Sequence, residues 1–183
     1  MNIRLLLESE HNKSTTESIV KCVYRNPHKL EELMDCFFDD NYRICQRASW
    51  PVGLIGEKSP EMLVPYLPAM LGNLDNPKHN AIIRNTVRSW QNLKIPEEYE
   101  GEIFEKCFNY ILDTKAAIAI RAFSMSVCAN IAANIPDLKE ELIMAINDQM
   151  EMASPGIRSR GSKLIRDLSS KIIIPKFSTN KKG

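Results

Sequence analysis

Guanidinium groups recur along this chain at a fixed interval. Arg47, Arg84, Arg121 and Arg158 stand 37 residues apart, and isoleucine precedes the last three as Ile83, Ile120 and Ile157. Such a side chain can hold a carboxylate or carbonyl inside the protein, or reach an acidic ligand outside it. Trp50 and Trp90, the only tryptophans, lie near two of these arginines. Aromatic rings interleaved with arginines can stack nucleobases, and a place in the core is the other reading for both. The remaining candidate chemistry is thin. Cys22, Cys36, Cys45, Cys107 and Cys128 show no C-x-x-C spacing and sit among apolar neighbours, where a thiol behaves as a small hydrophobe. His11, His28 and His79 are scattered and make no H-E-x-x-H pair, so no metal and no cofactor is expected. There is no G-x-S-x-G, no P-loop and no dinucleotide fingerprint. The Gly-Ser-Ser-x-Met-Pro signature of the all-helical fumarase and aspartase lyases is missing too, and Ser154-Pro155-Gly156 reads only as a helix start. Glu97, Glu98, Glu100, Glu102 and Glu105 crowd one segment as a solvated face would. These residues read as non-catalytic.

The elements that carry the arginines follow from the same interval. A second column, Leu33, Met70, Cys107 and Met144, is apolar throughout and is expected in the core. A fixed period of this size marks an array of stacked supersecondary units. Capping residues before proline punctuate the chain at Asn26-Pro27, Ser59-Pro60, Asn76-Pro77 and Ser154-Pro155, while Pro96 and Pro136 open two more segments. Period-two strand patterns are missing, so the expected fold is all-α. First helices are expected near 27–40, 60–75, 96–113 and 136–152, and second helices near 41–58, 77–94, 114–135 and 155–171. Ser14-Thr15-Thr16-Glu17 reads as a capping box for one further helix near 15–25. Residues 1–174 form one repeat domain in this reading, with units near 27–58, 60–94, 96–135 and 136–171. Residues 1–12 read as a poorly packed arm and 175–183 as a disordered tail, since neither shows a periodic apolar face. Trp50-Pro51 should kink or end the helix it falls in. The segment Ala116–Ala133 is small or apolar on nearly every side, which requires neighbours on several sides.

A turn carrying aspartate, followed by an aliphatic-arginine pair in the second helix, resembles the HEAT repeat. The copies that carry this are Leu74-Asp75-Asn76-Pro77 leading to Ile83-Arg84, and Leu112-Asp113 leading to Ile120-Arg121-Ala122. Tetratricopeptide and ankyrin arrays fit less well, because the period exceeds theirs. The resemblance implies a right-handed α-α superhelix of about four helical hairpins plus an N-terminal helix, first helices convex and second helices concave. It also implies that the arginines hold consecutive repeats together by bonding turn carboxylates and carbonyls; contact with a ligand is the other reading.

Charge separates between the two helix layers. The second-helix segments hold fourteen Lys/Arg against Glu57 and Asp167, a balance of +12, while the first-helix segments hold eighteen Asp/Glu against three lysines, a balance of −15. The chain's net charge of +1 conceals the split. Such a field attracts an acidic partner and repels a basic one. Neutralisation between neighbouring helices is the alternative use of the pattern. The candidate groove residues are therefore Arg47, Trp50, Arg84, Arg88, Trp90, Arg121, Arg158, Arg160, Lys163 and Arg166. The leading function is a non-catalytic scaffold that binds an acidic peptide or protein surface. Nucleic-acid binding is the second reading, as in HEAT-like DNA alkylation-repair proteins, although the second-helix segments offer no aspartate except Asp167. An accessory subunit of a larger assembly is the third. No apolar run approaches the roughly 20 residues a membrane span needs, and Glu8 and Glu10 interrupt any secretory signal, so a cytoplasmic setting is expected. The oligomeric state is open at this level.

Overall fold

The computed structural model describes residues 1–133, 135–151 and 153–170. Among these, every regular element is a helix. The contacts divide the chain into two compact units, one from Met1 to Leu93 and one from Lys94 onward.

The first unit runs α1 (Ile3–Ser9), α2 (Lys13–Arg25), α3 (Lys29–Phe37), α4 (Tyr42–Lys58), a 3-10 helix (Pro60–Tyr66), α5 (Leu67–Asn73) and α6 (Asn80–Trp90). Side-chain caps set several starts, since a helix leaves its first N–H groups unpaired. Asn2 accepts from Leu5, Asn12 from Thr15, and Asn41 from Arg43. His79 Nδ1 accepts from Ala81 and opens α6, three residues beyond the expected start at Pro77. The early helix likewise begins on Asn12 rather than on a Ser14–Glu17 box, with Thr15 and Thr16 buried inside it.

The arm expected at 1–12 is instead partly helical and docked. Ile3 and Leu7, one turn apart on α1, are both buried. Glu32 Oε1 accepts from the Ile3 N–H at 2.7 Å, and Arg47 Nη1 donates to the carbonyls of Leu7 at 2.6 Å and Glu8 at 3.0 Å. A carboxylate at the N-terminus and a cation at the C-terminus both oppose the helix dipole. Two buried side chains were too few to show as a periodic face.

Pro51 does not end α4, which continues to Lys58. Proline removes one backbone donor, and here its buried ring and the residues after it pack tightly enough to carry the helix on. The packing is against α6, where α4 presents glycine. A Cβ built on Gly53 would lie 2.6 Å from Asn85 Oδ1, and one on Gly56 would lie 2.6 Å from Ser89 Cα. The absent side chains let the two helices approach closely. The segment expected as one helix near 60–75 is split, because Pro65 and Pro68 each remove a donor that a continuous helix would need.

The second unit is two helical hairpins, α7 (Glu97–Leu112) with α8 (Ile118–Ala132), and α9 (Pro136–Met150) with α10 (Pro155–Ser169). The α8 helix, apolar on nearly all sides, packs against α7, α9 and α10, which accounts for its composition. Gly161 brings α10 onto α9, since a Cβ there would lie 2.9 Å from Ile146 Cγ2. The expected tail, 175–183, lies outside the described residues.

Leu33, Met70 and Cys107 are fully buried, as the apolar column requires, but Met144 is 62% exposed. The residues that fill its place are Leu142 and Ile146. Ile103 and Cys107 recur as Leu142 and Ile146 at an interval of 39 residues rather than 37. A two-residue slip turns a helical side chain by about 200°, from the core to the outside.

Candidate basic interaction surfaces

The column of four arginines divides by use. Arg47 on α4 closes the last turn of α1, as described. Arg121 on α8 does the same for α7: it is 8% exposed, donates from Nε to the Ile111 carbonyl at 3.3 Å, and donates from Nη2 to Gln149 Oε1 at 2.7 Å. Both arginines satisfy carbonyls that a helix end leaves unpaired. Arg84 and Arg158, at the alternate positions, are exposed and make no side-chain hydrogen bond or ion pair among the described residues. The expected bond from Arg84 to a turn group is therefore not made, and Arg121 uses a carbonyl rather than Asp113. Asp113 Oδ1 instead accepts from the Lys115 N–H at 2.9 Å, stabilising its own turn.

Several other candidate cations are held by neighbours within their own unit. Arg88 makes a two-pronged pair with Glu57, at 2.6 and 2.7 Å, linking α6 to α4. Arg160 Nη1 donates to Ser126 Oγ at 2.8 Å, linking α10 to α8. Lys78, also on a second-helix segment, pairs with Asp40 at 3.2 Å. Of these contacts only Lys78–Asp40 joins a first-helix segment to a second-helix one; Arg88–Glu57 joins two second helices, and Ser126 is uncharged. Gln149 and Ser126, which receive two of these arginines, carry no signal in the sequence, since an uncharged acceptor at an irregular position resembles any surface residue.

The tryptophans also separate. Trp90 is fully buried, with no acceptor for its indole N–H among the described residues, so it is core and unavailable to a ligand. Arg121, buried and bonded to Ile111 and Gln149, likewise presents no free guanidinium to a groove. Trp50 is half-buried and meets the His11 ring edge to face at 5.9 Å. Partial burial, and then the Arg47 charge, pull the His11 pKa below its usual value of 6.5.

The exposed cations that remain gather on α10. Taking 100° per residue, Arg158, Arg166 and Lys163 span an arc of about 140° that also carries Ser159 and Ser162. Ile157, Gly161 and Leu168 point the opposite way into the unit. None of the three cations has a side-chain partner among the described residues, and all three are exposed. In the first unit Arg84 stands alone in this condition among the candidate arginines.

The chain matches the HEAT repeat domain family over residues 3–168. It is a HEAT repeat protein. The match begins at the first residue of α1, in agreement with the docking of that helix. HEAT repeats generally mediate protein interactions, which accords with a scaffold role for this one. No curated protein and no solved structure matches this HEAT repeat chain. Among its described residues, no helix is long and apolar enough to cross a membrane.

Proposed function

We propose that this HEAT repeat protein is a non-catalytic interaction scaffold that takes an acidic peptide or protein surface on its exposed basic helix faces, above all on α10. The observation that carries the reading is the division of the arginine column. Positions committed to structure are bonded and withdrawn, as with Arg47 and Arg121, whereas Arg158 stays exposed beside Lys163 and Arg166. Three like charges on one helix face repel one another, so an anionic partner is what relieves them. Arg84 would supply a separate contact from the first unit. The nucleic-acid reading is weakened by Trp90, whose burial removes one of the two rings that could stack a base. All five cysteines are free thiols, which agrees with a reducing, cytoplasmic setting.

The test is the binding of a fluorescein-labelled polyglutamate peptide and of a labelled single-stranded oligonucleotide, each followed by anisotropy. Peptide binding should be strong at low salt and weaken as screening shortens to ~8 Å at physiological ionic strength. Combined Arg158→Glu, Lys163→Glu and Arg166→Glu substitution should abolish it. A protein that ignores the peptide even at low salt would sink the reading. Preferential binding of the oligonucleotide, with a log–log salt slope reporting several phosphates, would transfer it to nucleic acid.

A further inference from the structure

We propose that the acidic surface docking on α10 is the outer face of α7 in a second copy of this chain, so that copies associate head to tail. The inference rests on the reading of α10 as a basic docking face and adds the identity of its occupant. On α7, Glu98, Glu102 and Glu105 fall within about 60° of arc, opposite the buried Ile103, Cys107 and Ile111. All three are exposed. Glu98 and Glu105 have no partner among the described residues, and Glu102 reaches Lys106 only at 4.0 Å.

The two faces match in length as well as sign. Glu98 to Glu105 covers about 10.5 Å of helix and Arg158 to Arg166 about 12 Å, so one row can lie along the other with neither helix bent. They cannot meet within one copy. Both helices pack on α8 of the same compact unit, and each turns its charged row away from that core. A second copy brings the opposite row with it. The near-zero net charge of +1 leaves no overall repulsion between copies near neutral pH, where self-association is otherwise discouraged. Each contact leaves one free α7 and one free α10, a heterologous arrangement that can extend or close.

Sedimentation velocity on the full chain tests this. The weight-average coefficient of the wild type should rise with protein concentration in about 20 mM salt and return to the monomer value in about 300 mM. Substituting Glu98→Lys, Glu102→Lys and Glu105→Lys together should raise the apparent dissociation constant about tenfold or more, as should the triple α10 reversal. An equimolar mixture of the two variants should associate again, because each now carries the row the other lacks; a wild-type far-ultraviolet circular dichroism spectrum for each variant shows that both are folded. A wild type that stays monomeric at every concentration in low salt overturns the proposal, as does association that both variants retain. If that monomer still binds polyglutamate, the second copy is refuted and the docking face stands. If it binds neither, both fail.

Discussion

Arg121 lies in α8 yet donates to the carbonyl oxygen of Ile111 in the last turn of α7, at 3.3 Å, and so closes the helix that precedes its own. Arg84, one period earlier in the same column, is exposed and bonds to nothing among the described residues. Identical residues on one sequence interval therefore do different work. Arg121→Ala should cost about 1–3 kcal/mol in urea unfolding, because the Ile111 carbonyl and the Gln149 amide lose their buried donor. Arg84→Ala should stay within about 0.5 kcal/mol, as exposed substitutions do. Equal effects at the two positions would contradict the division.

The slip of register in α9 predicts a contrast between two methionines. Met70→Ala should destabilise by about 2–5 kcal/mol, the usual range for emptying a core site. Met144→Ala should be near neutral, since its side chain is mostly in water and alanine favours the helix. Denaturant midpoints of the two variants compare them directly; a large loss at Met144 would restore the unbroken column.

Thiol reactivity should report burial residue by residue. Cys22 is half-buried, while Cys36, Cys45, Cys107 and Cys128 are buried. Burial pushes the Cys36 thiol up to about 11 and raises those of Cys45 and Cys128 as well. A disulfide reagent at pH 8 should modify Cys22 alone in the native protein and all five thiols in denaturant. Rapid native reaction at a second thiol would show that a core helix opens.

The lowered His11 pKa sets the sign of a pH effect. With the folded value below the unfolded 6.5, the unfolded chain binds more protons in the interval between them. The stabilisation is complete above 6.5 and is lost as pH falls from there toward the folded value. Urea midpoints between pH 7.5 and 5.5 should therefore decline more steeply in wild type than in a His11→Gln variant. Because the ring is largely exposed, the difference should be small, and a reversed sign would refute the assignment.

Much of the fold was legible in the residues. Proline-capped starts, missing strand periodicity and the apolar segment around α8 placed most helix starts within a few residues, because each signal is local and each helix satisfies most of its own backbone. Where local signals were short or interrupted, the reading failed. Ile3 and Leu7 make too brief a stripe to reveal α1, and Pro65 and Pro68 divide a segment whose apolar pattern alone reads as one helix. The 37-residue rhythm also concealed the 39-residue spacing that turns Met144 outward.

The candidate surface was legible only as a pool. Composition alone determined that cations concentrate on the second-helix segments and carboxylates on the first, since that is a count along the chain. Which cations are spent could be decided only by folding. Arg88 meets Glu57 from 31 positions away, Arg160 meets Ser126 from 34, and Arg121 finds an uncharged carbonyl and an amide. A guanidinium bonds whatever acceptor packing brings within about 3 Å, and backbone carbonyls, present at every residue, leave no mark in a sequence. The tertiary structure thus separates chemically equivalent residues: Arg84, Arg158, Lys163 and Arg166 stay exposed and without a side-chain partner among the described residues, while Arg88, Arg121 and Arg160 are bonded.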